Sequence, residues 1–138
     1  MDKYNAEGYP DPTAAEALAN VALEEKKQFR RLVYVCSPFA GNIEHNINRA
    51  RGYCRYAVNK EYIPLAPHLH YPQFMDDEDR EQRELGLLFA LILLCKCDEV
   101  WVFGGRVSGG MAREISKAKK RGIPIRYFTE KCEEVQEI

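Results

Sequence analysis

In "SGGMAREISKA", residues 108 to 118, two glycines run into a helix that carries a single carboxylate, Glu114. Glycine lets backbone approach a ligand closely, and a helix start presents N–H groups to an anion or a sugar hydroxyl. A carboxylate buried against a sugar ring can attack the anomeric carbon and divide one difficult displacement into two easier ones. The same carboxylate in solvent would only favour the helix dipole. Counting along the helix does not decide which way Glu114 faces.

Other groups of the right chemistry stand in two further loops. Asp76, Asp77, Glu78 and Asp79 form an acidic cluster. Most of such a cluster serves to solvate a loop and start the next helix, and one member can protonate a leaving base. His68 and His70 would share a face in an extended stretch, but neither has partners at metal-ligand spacing, so no metal is expected. Tyr71 and Phe74 can stack on a base or pack their loop. Ser37 can bond a ribose or phosphate oxygen, or simply close a turn. Asp98, just ahead of "EVWVF", reads as the terminator of an element.

These loops need a frame. In the first thirty residues, "PDPTAAEALANVALEEKK" has Asp11 as a cap, Pro12 at the first helical position, and apolar residues at Ala14, Ala17, Leu18 and Val21, the pattern of an amphipathic helix. A first strand is predicted over Leu32 to Cys36, ended by Ser-Pro. A helix follows, capped by Asn42, with Ile43, Ile47, Ala50, Cys54, Ala57 and Val58 on one face. Tyr62 to Ala66 is a short strand and "DEVWVFGG" another. "SGGMAREISKAKKRG" is a helix closed by Gly122, and "IPIRYFT" is the last strand. Glu84 to Lys96 reads as a helix that is apolar all round and therefore buried all round, partly against another subunit. Strands alternating with helices imply a parallel sheet covered on both faces, with ligands outside the carboxyl ends of the strands. "CSPFAGN", "APHLHYPQFMDD" and "FGGRVSGGM" all fall at those ends.

The bulk properties narrow the partners. A chain of 138 residues, 46% hydrophobic and 30% charged, is one globular domain with extensions: residues 1–30 as a helical extension, 31–130 as the α/β domain, and 131–138 as an acidic tail expected to fray. A net charge of -1 leaves no electrostatic footprint for nucleic acid. Five cysteines without a CxxC pair and a polar start point to the cytoplasm. The apolar run from Leu85 to Leu94 is about half a membrane span. No membrane partner and no cofactor are expected.

"LVYVCSPFAG", "YIPLAPHL", "CDEVWVFGG" and "SGGMAREI" together resemble the nucleoside 2-deoxyribosyltransferase-like superfamily, most closely its small DUF4406/DUF7768-type bacterial branch. The resemblance runs from about Leu32 to Thr129. It implies a flavodoxin/Rossmann-like doubly wound sheet of four to five parallel strands with flanking helices, and the N-glycosidic bond of a nucleoside or nucleotide as the target. It places Glu114 as nucleophile; the proton donor, Asp76 or Asp77, comes from the reading of the acidic loop and not from the resemblance. Substrate contacts would come from Tyr34, Ser37, Phe39 and Gly41 in the first loop, His68 in the second, and Gly104, Ser108, Gly109, Gly110 and Met111 in the third. Such relatives are homodimers or larger.

One position departs from the pattern. Catalytic relatives carry an Asp on the helix before the strand that precedes the nucleophile turn, and "LLFALILLCK" contains no carboxylate. Asp76, Asp77 or Glu84 would have to replace it. Two readings therefore stand: a transferase or N-glycosidase acting through Glu114, and a non-catalytic nucleotide-binding module on the same fold.

Overall fold

The computed structural model describes residues 13–27 and 29–137. The chain divides into two compact units, residues 1–30 and 31–138. In the first, helix α1 (Ala14–Lys27) is closed by a capping box: Glu16 N–H donates to Thr13 Oγ1 at 3.2 Å, and Thr13 N–H donates to the Glu16 carboxylate at 3.3 Å. The expected cap, Asp11, and Pro12 lie outside the described residues. Leu18, Val21 and Leu23 of α1 are exposed.

The second unit is the α/β body. Its elements in chain order are β1 (Leu32–Cys36), α2 (Ile43–Asn59), β2 (Ile63–Leu65), two 3₁₀ turns (Pro67–Leu69 and Tyr71–Gln73), α3 (Arg80–Leu94), β3 (Glu99–Phe103), α4 (Gly109–Arg121), β4 (Ile125–Phe128) and β5 (Glu134–Val135). One sheet holds all five strands in the order β2-β1-β3-β4-β5, with β1 to β4 parallel and β5 antiparallel at the edge. The expected doubly wound α/β fold is present. Strands β1 and β3 are near-continuous apolar runs because helices cover both of their faces.

The pleat sorts the side chains. Val33, Val35, Trp101, Phe103 and Phe128 point to the α2 face, where they meet Tyr53 and Ala57. Tyr34, Cys36, Val100 and Val102 point to the opposite face and meet Leu94, Met111 and Ala118 from α3 and α4. Tyr53 stacks on Phe103 with ring centroids 4.3 Å apart. The apolar reading of α2 placed Ile43 and Val58 inward; both are exposed, and the aromatic Tyr53 fills that place instead. Asp98 is structural: its carboxylate accepts from Leu32 N–H at 2.8 Å, and its own N–H donates to the Leu32 carbonyl, tying β3 to the start of β1.

Two expectations are corrected. Helix α3 begins at Arg80, not Glu84, because Asp79 caps it, accepting from Glu81 and Gln82 N–H. Within one chain α3 buries Ala90 and Leu94, whereas Leu85, Leu88 and Ile92 form an exposed stripe, the side that the sequence reading gives to another subunit. The acidic end does not simply fray. Arg126 holds Glu134 through two parallel bonds, at 2.9 and 2.8 Å, and this bidentate pair pins β5 to β4. The same guanidinium lies 5.0 Å from the Trp101 ring centroid and 3.6 Å from Glu99. Among the described residues, no helix is long and apolar enough to cross a membrane.

Candidate functional site

Strand order reverses between β1 and β3: the chain leaves β1 toward β2 and leaves β3 toward β4. Loops that diverge this way open a crevice at the carboxyl ends of the two strands. A cavity of about 320 Å³ lies there, on the face covered by α3 and α4.

Glu114 is part of its wall. Helix α4 turns Met111, Ile115 and Ala118 toward the sheet. Glu114 lies on the edge of that stripe, so the helix carries the carboxylate inward with its apolar neighbours. Tyr34, 1% exposed in the middle of β1, donates its hydroxyl to Glu114 Oε1 at 3.0 Å. Burial raises the Glu114 pKa, and hydrogen bonds from the Cys36 thiol and the Tyr34 hydroxyl partly oppose that rise. Tyr34 and Cys36 are themselves held protonated, first by burial and then by the adjacent carboxylate. The result is a carboxylate in apolar surroundings, oriented by the Tyr34 hydroxyl, with the Cys36 thiol beside it directed at the Met111 carbonyl.

The α4 start is built as the glycine pattern suggests. Ser108 is its N-cap, accepting from Met111 N–H at 3.3 Å, and Ser108, Gly109, Gly110 and Met111 line the cavity on this side. Ser37 and Phe39 line it from the loop after β1. Ser37 is buried, and its Oγ is 3.3 Å from His68 Nε2. Burial lowers the His68 pKa to about 4, so the imidazole is neutral at ordinary pH. His68 and His70 do not share a face. The segment forms 3₁₀ turns rather than a strand, sending His68 to the cavity and His70 outward against Tyr71 and Phe74. Tyr71 lines the cavity, while Phe74 is 63% exposed.

Asp76 and Asp77 both reach the cavity rim. Asp76 Oδ1 accepts from Glu78 N–H at 3.0 Å, and Asp76 N–H donates to Gln82 Oε1 at 2.7 Å, which fixes the turn that presents the pair. Glu84, the third substitute carboxylate, pairs with Arg80 on the surface. Gly41 and Gly104 are not in this cavity. They line a second one on the α2 side, and both have positive φ, 98° and 101°, which glycine adopts without strain.

Several lining residues escaped the sequence reading. Gln82, Arg83, Gly86 and Leu87 form the α3 wall. The i, i+3, i+4 spacing from the cap Asp79 would have revealed them, had the helix been started there. Asn46 is a second omission: its amide donates to the Phe39 and Ala40 carbonyls, both at 3.0 Å, and clamps the β1 loop to α2. Among the described residues, no group of three or more His, Cys, Asp or Glu side chains is placed to hold a metal.

A family model described as "Domain of unknown function (DUF7768)" matches residues 31–128. The chain belongs to the DUF7768 family. No curated protein matches it. Among solved structures, this DUF7768 chain is similar to a 2-deoxyribosyltransferase from the psychrotolerant bacterium Bacillus psychrosaccharolyticus. The two are 18% identical, with a TM-score of 0.55, over 71% of this chain and 72% of the other. At that identity the likeness establishes a nucleoside 2-deoxyribosyltransferase-like fold.

Proposed function

We propose that this DUF7768 protein cleaves or exchanges the N-glycosidic bond of a nucleoside or nucleotide, with Glu114 as the nucleophile. One observation carries the reading: a carboxylate inside an apolar cavity at the strand-order reversal, oriented by Tyr34 at 3.0 Å. The fold it shares with a 2-deoxyribosyltransferase supports the same chemistry.

In this reading a Glu114 oxygen attacks C1′ of the sugar. The C1′–N bond breaks, its electron pair stays on the base nitrogen, and that nitrogen takes a proton from the carboxyl of Asp76 or Asp77. Water or a second base then displaces Glu114 from C1′, losing a proton to the same group. Ser37 and the α4 start hold the sugar side. Phe39 and Tyr71 offer faces for the base.

The second reading, a non-catalytic nucleotide-binding module, also has a specific support. The α3 wall of the cavity, Gln82, Arg83, Gly86, Leu87 and Ala90, carries no carboxylate, so a donor must come from the rim. Incubation of the protein with a panel of deoxynucleosides and their monophosphates, with and without an acceptor base, separates the two. Released or exchanged base that vanishes in Glu114→Ala favours the enzyme, and saturable binding without turnover favours the module. We assign the exposed stripe of Leu85, Leu88 and Ile92 to contact between copies in a homo-oligomer.

A further inference from the structure

A second cavity, of about 640 Å³, opens at the same end of the sheet on the α2 side. Its walls carry two guanidiniums, Arg49 from α2 and Arg106 from the loop after β3, against one carboxylate, Glu130. Arg49 and Glu130 are 4.0 Å apart, with side chains 45% and 61% exposed, so neither neutralises the other firmly. Gly41 and Gly104 form part of the lining, and nothing stands within 4 Å of where a side chain would be at either. The space over both glycines is therefore open, although the Gly104 N–H already donates to the Phe128 carbonyl at 3.0 Å. The positive end of the 17-residue α2 faces the same space.

The Asn42 side-chain oxygen and the Asn46 amide nitrogen are already committed. Asn42 caps α2 by accepting from His45 N–H at 3.2 Å, and Asn46 clamps the Phe39 and Ala40 carbonyls. What remains for a ligand is cationic and donor-rich. A base or a lipid chain would leave the guanidiniums without partners, and a metal ion would be repelled. A carboxylate offers two oxygens, whereas a phosphate monoester offers three and matches two guanidinium forks together with backbone N–H groups. Ser37 and Ala40 line both cavities, so the clamped β1 loop is the partition between them.

We propose that this second cavity is a binding site for a phosphate-bearing small molecule, held by Arg49 and Arg106. It does not depend on Glu114 being a nucleophile. The phosphate can belong to a nucleotide whose sugar and base occupy the first cavity, or to a separate molecule. The test is calorimetric titration of the full chain at low ionic strength with inorganic phosphate, a deoxynucleoside monophosphate and the matching deoxynucleoside. Arg49→Gln and Arg106→Gln should each weaken phosphate binding by roughly ten- to a hundredfold, the value of one charge-assisted hydrogen bond. Glu130→Gln, which removes the competing carboxylate, should tighten it several-fold, an opposite sign that no loss of folding would produce. A monophosphate advantage over the nucleoside that disappears in the double arginine variant assigns the phosphate to the first cavity's ligand. Phosphate binding that leaves monophosphate affinity unchanged assigns a separate ligand. Phosphate affinity at the same value in both arginine variants, or no binding at millimolar phosphate, overturns the site.

Discussion

Replacing Tyr34 by Phe removes one oxygen and leaves the ring in the core, where Tyr34 is 1% exposed. The carboxylate of Glu114 then loses a donor at 3.0 Å. A hydrogen bond to a charged group is worth about 1.5–3 kcal/mol, which corresponds to about one to two pKa units. Burial already raises the Glu114 pKa, and the Tyr34 bond is one of the two interactions opposing it, so the change drives the pKa further up. The acid limb of the pH–rate profile should move to higher pH, and the rate on that limb should fall by roughly ten- to a hundredfold, the worth of that hydrogen bond. Stability carries the same signature without turnover. A carboxylate whose folded pKa lies above its unfolded value favours the fold most below the unfolded value, and that contribution is lost as pH rises through the folded value. Urea unfolding from pH 4 to pH 8 should therefore show Tyr34→Phe losing stability relative to the parent as pH rises. With Glu114→Gln in the background, the difference should become pH-independent. An acid limb that stays in place, or a pH-dependent difference that survives Glu114→Gln, would refute the coupling.

The neutral His68 predicts the opposite slope. Its pKa falls from 6.5 to about 4 on burial, so its contribution is present above pH 6.5 and lost as pH drops through 4, up to about 3 kcal/mol. His68→Gln should flatten that part of the urea-unfolding profile, and an unchanged acid slope would show that His68 is solvated. Of Asp76→Asn and Asp77→Asn, the one that removes the proton donor should lower kcat by roughly 10²- to 10⁴-fold for a natural base, and far less for a base that leaves without protonation. Equal effects on both kinds of leaving group would exclude both residues as acids. Ser108→Ala should cost about 1 kcal/mol in urea unfolding through the lost α4 cap. Arg126→Ala should cost about 1–2 kcal/mol and raise amide exchange across β5, since one guanidinium holds Glu134 and covers Trp101.

The strands are legible because β1 and β3 are covered on both faces and so read as unbroken runs of Val, Tyr, Trp and Phe. Their alternation with helices was enough to place three loops at one end. The face of Glu114 is harder to read: position 114 lies on the border of the Met111–Ile115–Ala118 stripe, where a turn of about 100° per residue leaves both outcomes open. Contact with Tyr34 across 80 residues decides it. The α3 wall was missed for a different reason. Composition marks the apolar run from Leu85 but not the polar first turn, and only Asp79 acting as a cap reveals that Gln82 and Arg83 belong to the helix. Gly41 and Gly104 show the limit of glycine content as a signal. A loop can be assigned to the correct end of the sheet, but glycine content does not say which of the two cavities each glycine lines.

The most direct measurement is to trap the intermediate. A nucleoside or nucleotide substrate carrying fluorine at C2′ slows breakdown of a glycosyl-enzyme, because the fluorine disfavours positive charge at C1′. After incubation, digestion and mass spectrometry, the segment 114–117 should carry one fluorinated sugar with loss of the base, and Glu114→Gln should carry none. Base release with the sugar on another residue, or turnover that persists in Glu114→Gln, would contradict Glu114 as the nucleophile.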